Sequence, residues 1–263
     1  MSINEGKCSV YDQVLQITDL HLKENPTSTL LGFDTAATLE MVLEKALSEA
    51  EPSAILVTGD IAHDEQLKTY YRYLDIMAAH YTGPILSLPG NHDQSQYFES
   101  PVKTEPLTIG NWLLVGLDSH LDGQVGADVS AEDLRDLMEC LDQHRDRHAI
   151  IATHHPPVSI GCSWLDSHRI KIDTELSRLL EDYPTVKGIV FGHIHQPIDI
   201  MLKGVRLLGA PSTCFQFLPN STSFSLDRKP PGYRWLTLMD DGLLETEVCR
   251  LKVCPYEIDI SDK

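Results

Sequence analysis

Six short apolar runs rich in β-branched residues punctuate the chain, and five of them end abruptly in Asp, Asn or His. Leu15-Gln16-Ile17-Thr18 runs into Asp19-Leu20-His21, and Ile55-Leu56-Val57-Thr58 into Gly59-Asp60. Leu86-Ser87-Leu88-Pro89 leads to Gly90-Asn91-His92-Asp93, Ile150-Ile151-Ala152-Thr153 to His154-His155-Pro156, and Ile189-Val190-Phe191 to Gly192-His193-Ile194-His195. Apolar runs of this kind suit strands buried on both faces, which helices must then cover.

The intervening sequence supplies those helices. Leu39, Val42, Leu43, Ala46 and Leu47 recur at helical spacing, as do Leu67, Tyr70, Tyr71 and Leu74. Leu134, Leu137, Met138 and Leu141 repeat the pattern, followed by Leu176, Leu179, Leu180 and Tyr183. Strands are expected at 14–18, 54–58, 85–88, 112–117, 149–153 and 188–191, giving an α/β fold. Beyond Pro197 the texture changes to hairpins, 198–202 with 205–208 and 233–239 with 243–249, read as a largely antiparallel sheet. The stretch 217–231, rich in Pro, Ser and Asn, reads as a long loop. All 263 residues are taken as one domain, with polar clusters in 14–196 and antiparallel strands in 197–263.

Ligands of an α/β sheet gather beyond the carboxyl ends of its strands, so the five clusters are expected to converge. Convergence brings together two carboxylates, an amide and at least four imidazoles, a sulfur-free mixture that suits Mn²⁺, Fe²⁺ or Zn²⁺ better than Ca²⁺. Asp-x-His and His-x-His place alternate side chains on one face of an extended segment, so each pair can bracket a cation. Gly59, Gly90 and Gly192 stand where a tight turn or close backbone approach is needed.

Composition narrows the partners. Thirty-nine acidic against 21 basic residues leave a charge of −18, which opposes nucleic acid because few phosphates could be neutralised. A small phosphate ester is not opposed, since bound cations reverse the local sign. The six cysteines, Cys8, Cys140, Cys162, Cys214, Cys249 and Cys254, form no C-x-x-C pair, and read as free thiols. With no apolar run long enough to span a bilayer and no leader pattern at the start, a cytoplasmic protein without a membrane partner is expected.

The order Asp19-x-His21, Gly59-Asp60, Gly90-Asn91-His92-Asp93, His154, Gly192-His193-x-His195 resembles the calcineurin-like metallophosphoesterases. Gly161-Cys162-Ser163-Trp164-Leu165-Asp166 and Pro211-Ser212-Thr213-Cys214 extend the likeness to the bacterial class III cyclic-AMP phosphodiesterases, over nearly the whole chain. That resemblance implies a four-layer α-β-β-α sandwich with two mixed β-sheets and two divalent metals, Fe²⁺ or Mn²⁺ foremost and Zn²⁺ also compatible. It implies that Asp19, His21, Asp60 and His195 hold one metal and Asp60, Asn91, His154 and His193 the other, with Asp60 bridging. The His-x-Pro pattern favours His154 over His155, which is left a supporting or structural role.

The implied activity is hydrolysis of 3′,5′-cyclic AMP to 5′-AMP, a water shared by two cations being acidified for in-line attack at phosphorus. His21, Asp60, Asn91, His92 and His195 would surround the phosphate, with His92, which has no assigned metal, and Asn91 catalytic. Asp93 either orients His92 or caps the following helix as an exposed carboxylate. His63 and Asp64 are outer partners of the site or the solvated start of a helix. Trp164 and Phe215 either stack on a base or pack, and His80, His120, His144, His148 and His168 are ordinary surface or core residues. Rival readings are another phosphoester, such as a 2′,3′-cyclic nucleotide, nucleotide, phosphomonoester or phospholipid headgroup, and a non-catalytic scaffold. The scaffold is disfavoured because every ligand position is filled.

Overall fold

The computed structural model describes residues 11–171 and 173–261, so Cys8 and the first residues lie outside it. In chain order the elements are β1 Tyr11–Ile17, α1 Thr35–Glu49, β2 Ala54–Thr58, α2 Leu67–His80, β3 Ile85–Leu88, α3 Gln96–Glu99, β4 Leu107–Ile109, β5 Trp112–Gly116, α4 Ala131–Gln143 and β6 His148–Thr153. There follow α5 Ser163–Asp166, α6 Asp173–Asp182, β7 Val186–Phe191, β8 Ile198–Leu202, β9 Val205–Gly209, β10 Gln216–Phe217, β11 Leu226–Asp227, β12 Gly232–Met239 and β13 Leu244–Arg250. All six expected strands and four expected helices are present. Among the described residues no helix is long and apolar enough to cross a membrane.

Two mixed sheets run β13-β12-β1-β2-β3 and β4-β5-β6-β7-β9-β8. Strand alternation explains why they stack between helices. Leu15, Ile17, Ile55 and Val57 face α1 and α2, whereas Val14, Ala54 and Leu56 turn inward to meet Leu114, Ile150, Ala152 and Val190 of the second sheet. On the far side Leu113, Val115, Ile151 and Ile189 pack against Leu137 and Leu141 of α4 and Leu176 and Leu180 of α6. Three apolar layers therefore separate four layers of structure, helix, sheet, sheet and helix.

The two C-terminal hairpins do not form a sheet of their own. The β8–β9 hairpin extends the second sheet, β9 lying parallel to β7, while the β12–β13 hairpin joins the first through antiparallel pairing of β12 with β1. Their alternation fits either sheet, so local pattern does not choose between them. The expected loop at 217–231 holds all but the first residue of a two-stranded ribbon, Phe217 pairing with Leu226.

Buried polar side chains fix the sheets to each other. The Gln16 amide donates to Thr58 Oγ1 and to Phe191 O, both at 3.1 Å, joining the ends of β1, β2 and β7. Arg234 of β12 donates to Ile198 O at 2.9 Å and Gly209 O at 2.7 Å across the stack. The parallel strands β1, β2 and β3, and likewise β6 and β7, thus end at one place.

Candidate metal centre

Five of the strand-end residues carry positive φ: Asp19 (53°), His21 (48°), Asp60 (52°), His193 (65°) and His195 (48°). Such backbone is disfavoured for residues with a Cβ and persists only where the surroundings hold it, a pattern typical of functional sites. Here the loops brace one another. Leu20 and His21 N–H both donate to Asp60 O, at 2.8 and 2.9 Å, and His193 N–H donates to the Asp19 carboxylate at 3.1 Å. The Pro211–Cys214 region supports the first loop, with Ser212 Oγ donating to Asp19 O at 2.8 Å. At Gly90 a Cβ would lie 2.3 Å from Asp60 N and Oδ1, and at Gly192 2.0 Å from Thr18 Oγ1. Both glycines are required by close approach, as their places in the sequence suggest.

The result is one buried cluster that brings together every expected ligand. His195 Nε2 lies 3.3 Å from Asp19 Oδ1 and 3.3 Å from His21 Nε2, which is 3.6 Å from Asp60 Oδ2. On the other side of the same carboxylate, Asp60 Oδ1 is 3.5 Å from His154 Nε2. Asn91 Oδ1 closes that side, 3.2 Å from His154 Nε2 and 2.8 Å from His193 Nδ1. Asp60 therefore stands between two groups of donors.

The outward-facing ring nitrogens set the tautomers. His154 Nδ1 lies 2.7 Å from Thr58 O and His195 Nδ1 2.8 Å from Phe215 O. A carbonyl only accepts, so both Nδ1 atoms carry protons, and the Nε2 atom left to bind a cation is the one that faces carboxylate or amide oxygen. Acceptor then meets acceptor around Asp60, an arrangement that only a proton or a cation between them relieves. The residues thus fit a divalent metal, and the bonds to Thr58 and Phe215 are the outer contacts that orient histidine ligands.

Burial, with neighbouring histidines, holds His21 and His193 well below the ordinary imidazole range, leaving them neutral and able to ligate. Burial acts to raise Asp19, but His195 prevails and lowers it. His154 is raised, because the Asp60 and Asp19 carboxylates and the Thr58 carbonyl outweigh its burial. His155 has no lone pair to offer: Nε2 faces Val125 O at 3.2 Å and must donate there, so Nδ1 accepts from Ser119 Oγ at 2.9 Å.

Asp93 behaves unlike either expectation. It is fully buried, and accepts from Ile61, Ala62 and Gly90 N–H and from Tyr70 OH, at 2.8–3.1 Å. Burial and the nearby Asp60 push it up to about 6. It pins the Asp60 loop to the Asn91 loop rather than capping a helix.

His168, set aside as ordinary, belongs to the site, and His63 stands as an outer partner of it rather than a solvated helix start. His168 Nδ1 lies 3.2 Å from His193 Nε2, and His63 Nδ1 lies 3.4 Å from His21 Nδ1 while its ring stacks on His92 at 4.9 Å. His63 follows Asp60 by three residues, the one sequence hint of its place; His168 has none. His92 stands beside the cluster, its backbone N–H donating to Asp60 Oδ1 at 2.9 Å, and its ring lines a cavity of about 310 Å³ with His21, Asp60, Asn91, His193 and His195. Phe215 stacks on His21 at 5.4 Å and so packs as well as lining the cavity.

The chain matches known proteins along its length. Residues 13–197 match the family model described as calcineurin-like phosphoesterase. The chain is 37% identical to the 3′,5′-cyclic adenosine monophosphate phosphodiesterase CpdA of Pseudomonas aeruginosa, across 94% of its own length and 92% of that protein's. It is 36% identical to CpdA of Escherichia coli (strain K12), across 95% and 94%. Its fold is similar to that of a dimetal phosphatase from Danio rerio, with TM-score 0.62, 13% identity, and 91% of this chain and 98% of that one covered.

Proposed function

The chain belongs to the calcineurin-like phosphoesterase family, and on that premise we propose that it hydrolyses 3′,5′-cyclic AMP to 5′-AMP. One observation carries the reading: imidazole lone pairs and carboxylate oxygens facing each other around Asp60 at the floor of an open cavity. Asp19, His21, Asp60 and His195 would hold one divalent cation, and Asp60, Asn91, His154 and His193 a second, Fe²⁺ or Mn²⁺ foremost. When bound, such a pair supplies Lewis acidity toward phosphoryl oxygen and toward the attacking water.

The protein's own groups do the rest. Asn91, whose Oδ1 faces His154 and His193, has its amide NH₂ left to orient the phosphate. His92 gives a proton to the 3′-oxygen as the P–O3′ bond breaks and the water oxygen bonds to phosphorus. A cytoplasmic setting is supported by the free thiols of Cys140, Cys162, Cys214, Cys249 and Cys254.

The test is a substrate panel. Protein stripped of metal and reloaded with Mn²⁺, Fe²⁺ or Zn²⁺ is given cyclic AMP, cyclic GMP, 2′,3′-cyclic AMP, AMP and an aryl phosphodiester, and products are separated by chromatography. Release of 5′-AMP from 3′,5′-cyclic AMP is expected; turnover of the aryl ester alone would reject the substrate.

A further inference from the structure

The cavity has two unlike halves. Its floor is the Asp60 cluster, but the rest of its lining includes Leu30, Leu31, Val125, Trp164, Phe217 and Phe224, none of them charged, a wall that begins where Phe217 stacks on His195 at 4.1 Å. A sugar polyol or a charged headgroup placed against that wall would give up hydrogen bonds to water without replacement. A flat heteroaromatic ring would not, because its faces are apolar and its edges alone need partners.

The aromatics on that wall are arranged around one residue. Trp164 meets Phe217 edge-on at 5.0 Å and Phe224 edge-on at 5.7 Å. Phe224 is 43% exposed although it borders the cavity. It also meets Phe217 edge-on at 5.6 Å, so its exposed ring belongs to a contiguous aromatic surface, the kind that marks a ligand-binding groove. Trp164 Nε1 adds a second observation, being shielded from solvent with no hydrogen-bond partner. Buried donors in native proteins nearly always have one, so an acceptor is missing there.

We propose that this wall is the nucleobase subsite, with Phe224 as its stacking surface and Trp164, which stands edge-on to Phe224, presenting Nε1–H to a ring nitrogen of the base. The subsite rests on the cyclic-nucleotide reading above and extends it from the phosphate to the base. Stacking accepts any base, so this wall sets affinity for nucleotides over other phosphodiesters rather than a choice among bases.

The metal-loaded 263-residue chain is assayed on cyclic AMP and on the abasic analogue, ribose 3′,5′-cyclic phosphate. Wild type should favour cyclic AMP in kcat/KM, and Phe224→Ala, which loses the base stack, and Trp164→Ala, which loses the donor and the ring that Phe224 leans on, should each cut that preference roughly tenfold. Trp164→Phe keeps a ring and loses only the N–H, so its effect should be smaller than that of Trp164→Ala but present. Should Trp164→Ala fail to fold, Phe224→Ala and Trp164→Phe decide. An unchanged preference, including a parallel fall on both substrates, overturns the subsite and leaves the proposed reaction standing. A wild type that cleaves an aryl phosphodiester but neither cyclic compound overturns the reaction and the subsite together.

Discussion

His63 and His21 face each other through their Nδ1 atoms, 3.4 Å apart. One N–H can serve that contact, and if His21 gives its Nε2 lone pair to a cation, its own Nδ1 holds the proton and His63 accepts it. His63 then orients a metal ligand. Its neutrality suits the role, since burial and the neighbouring His92 lower it to about 4.

Replacing His63 by Phe preserves a ring against His92 and removes the acceptor. Metal affinity, measured by competition with a chelator, should fall about 10- to 100-fold while circular dichroism stays as in wild type. His63→Asn, which restores an acceptor oxygen, should recover part of the loss. Equal affinity in wild type and His63→Phe would remove His63 from the support of the site.

His92→Ala tests the proton donor separately. The bond from residue 92 to Asp60 Oδ1 comes from backbone N–H, so Ala keeps it and the metal content should be unchanged. Turnover of cyclic AMP should drop about 10²-fold or more, the usual scale for losing a positioned acid. Wild-type kcat in a metal-replete variant would show that another group donates.

The strand-end clusters were readable because each is a local event: an apolar run, a tight turn, then a donor. Sheet geometry alone then brings Asp19, Asp60, Asn91, His154 and His193 together. His168 was not readable, because its contact with His193 spans 25 residues and depends on how the segment after α5 folds back. Asp93 misled for a related reason. A carboxylate at a helix start is normally exposed, and only the approach of Tyr70 from α2 and of the Ile61 and Ala62 amides makes burial tolerable. The two C-terminal hairpins were recognisable as hairpins, but β8–β9 and β12–β13 carry the same alternation and nothing local assigns them to different sheets.

Gly90→Ala places a methyl 2.3 Å from Asp60 N and Oδ1 and 2.8 Å from His154 Cε1, contacts that real Cβ atoms do not make. Neither neighbour can yield cheaply, since one is backbone and both belong to the cluster. Elemental analysis of the purified variant should find metal lost along with activity. A metal-replete, active Gly90→Ala protein would mean that the loops around Asp60 are looser than they are packed here.

Asp118, at the end of β5, gives a pH-dependent prediction away from the metal ligands. Burial, with Asp133 and Asp122 nearby, pushes its carboxyl up to about 6 against the bond it accepts from His120 N–H and the attraction of His154. Because the folded value lies above the ordinary carboxyl value of 3.8, its contribution is intact below about pH 4. Stability is then lost as pH rises toward 6, where the unfolded chain ionises first. Asn keeps the acceptor for His120 N–H and cannot ionise. Asp118→Asn should therefore be more stable than wild type by about 1–2 kcal/mol at pH 7.5, allowing for partial exposure of the site. The difference should shrink to about zero near pH 4, as read by urea unfolding of metal-free protein across that range. A gain independent of pH would mean that the carboxylate is solvated and that the benefit of Asn has another origin.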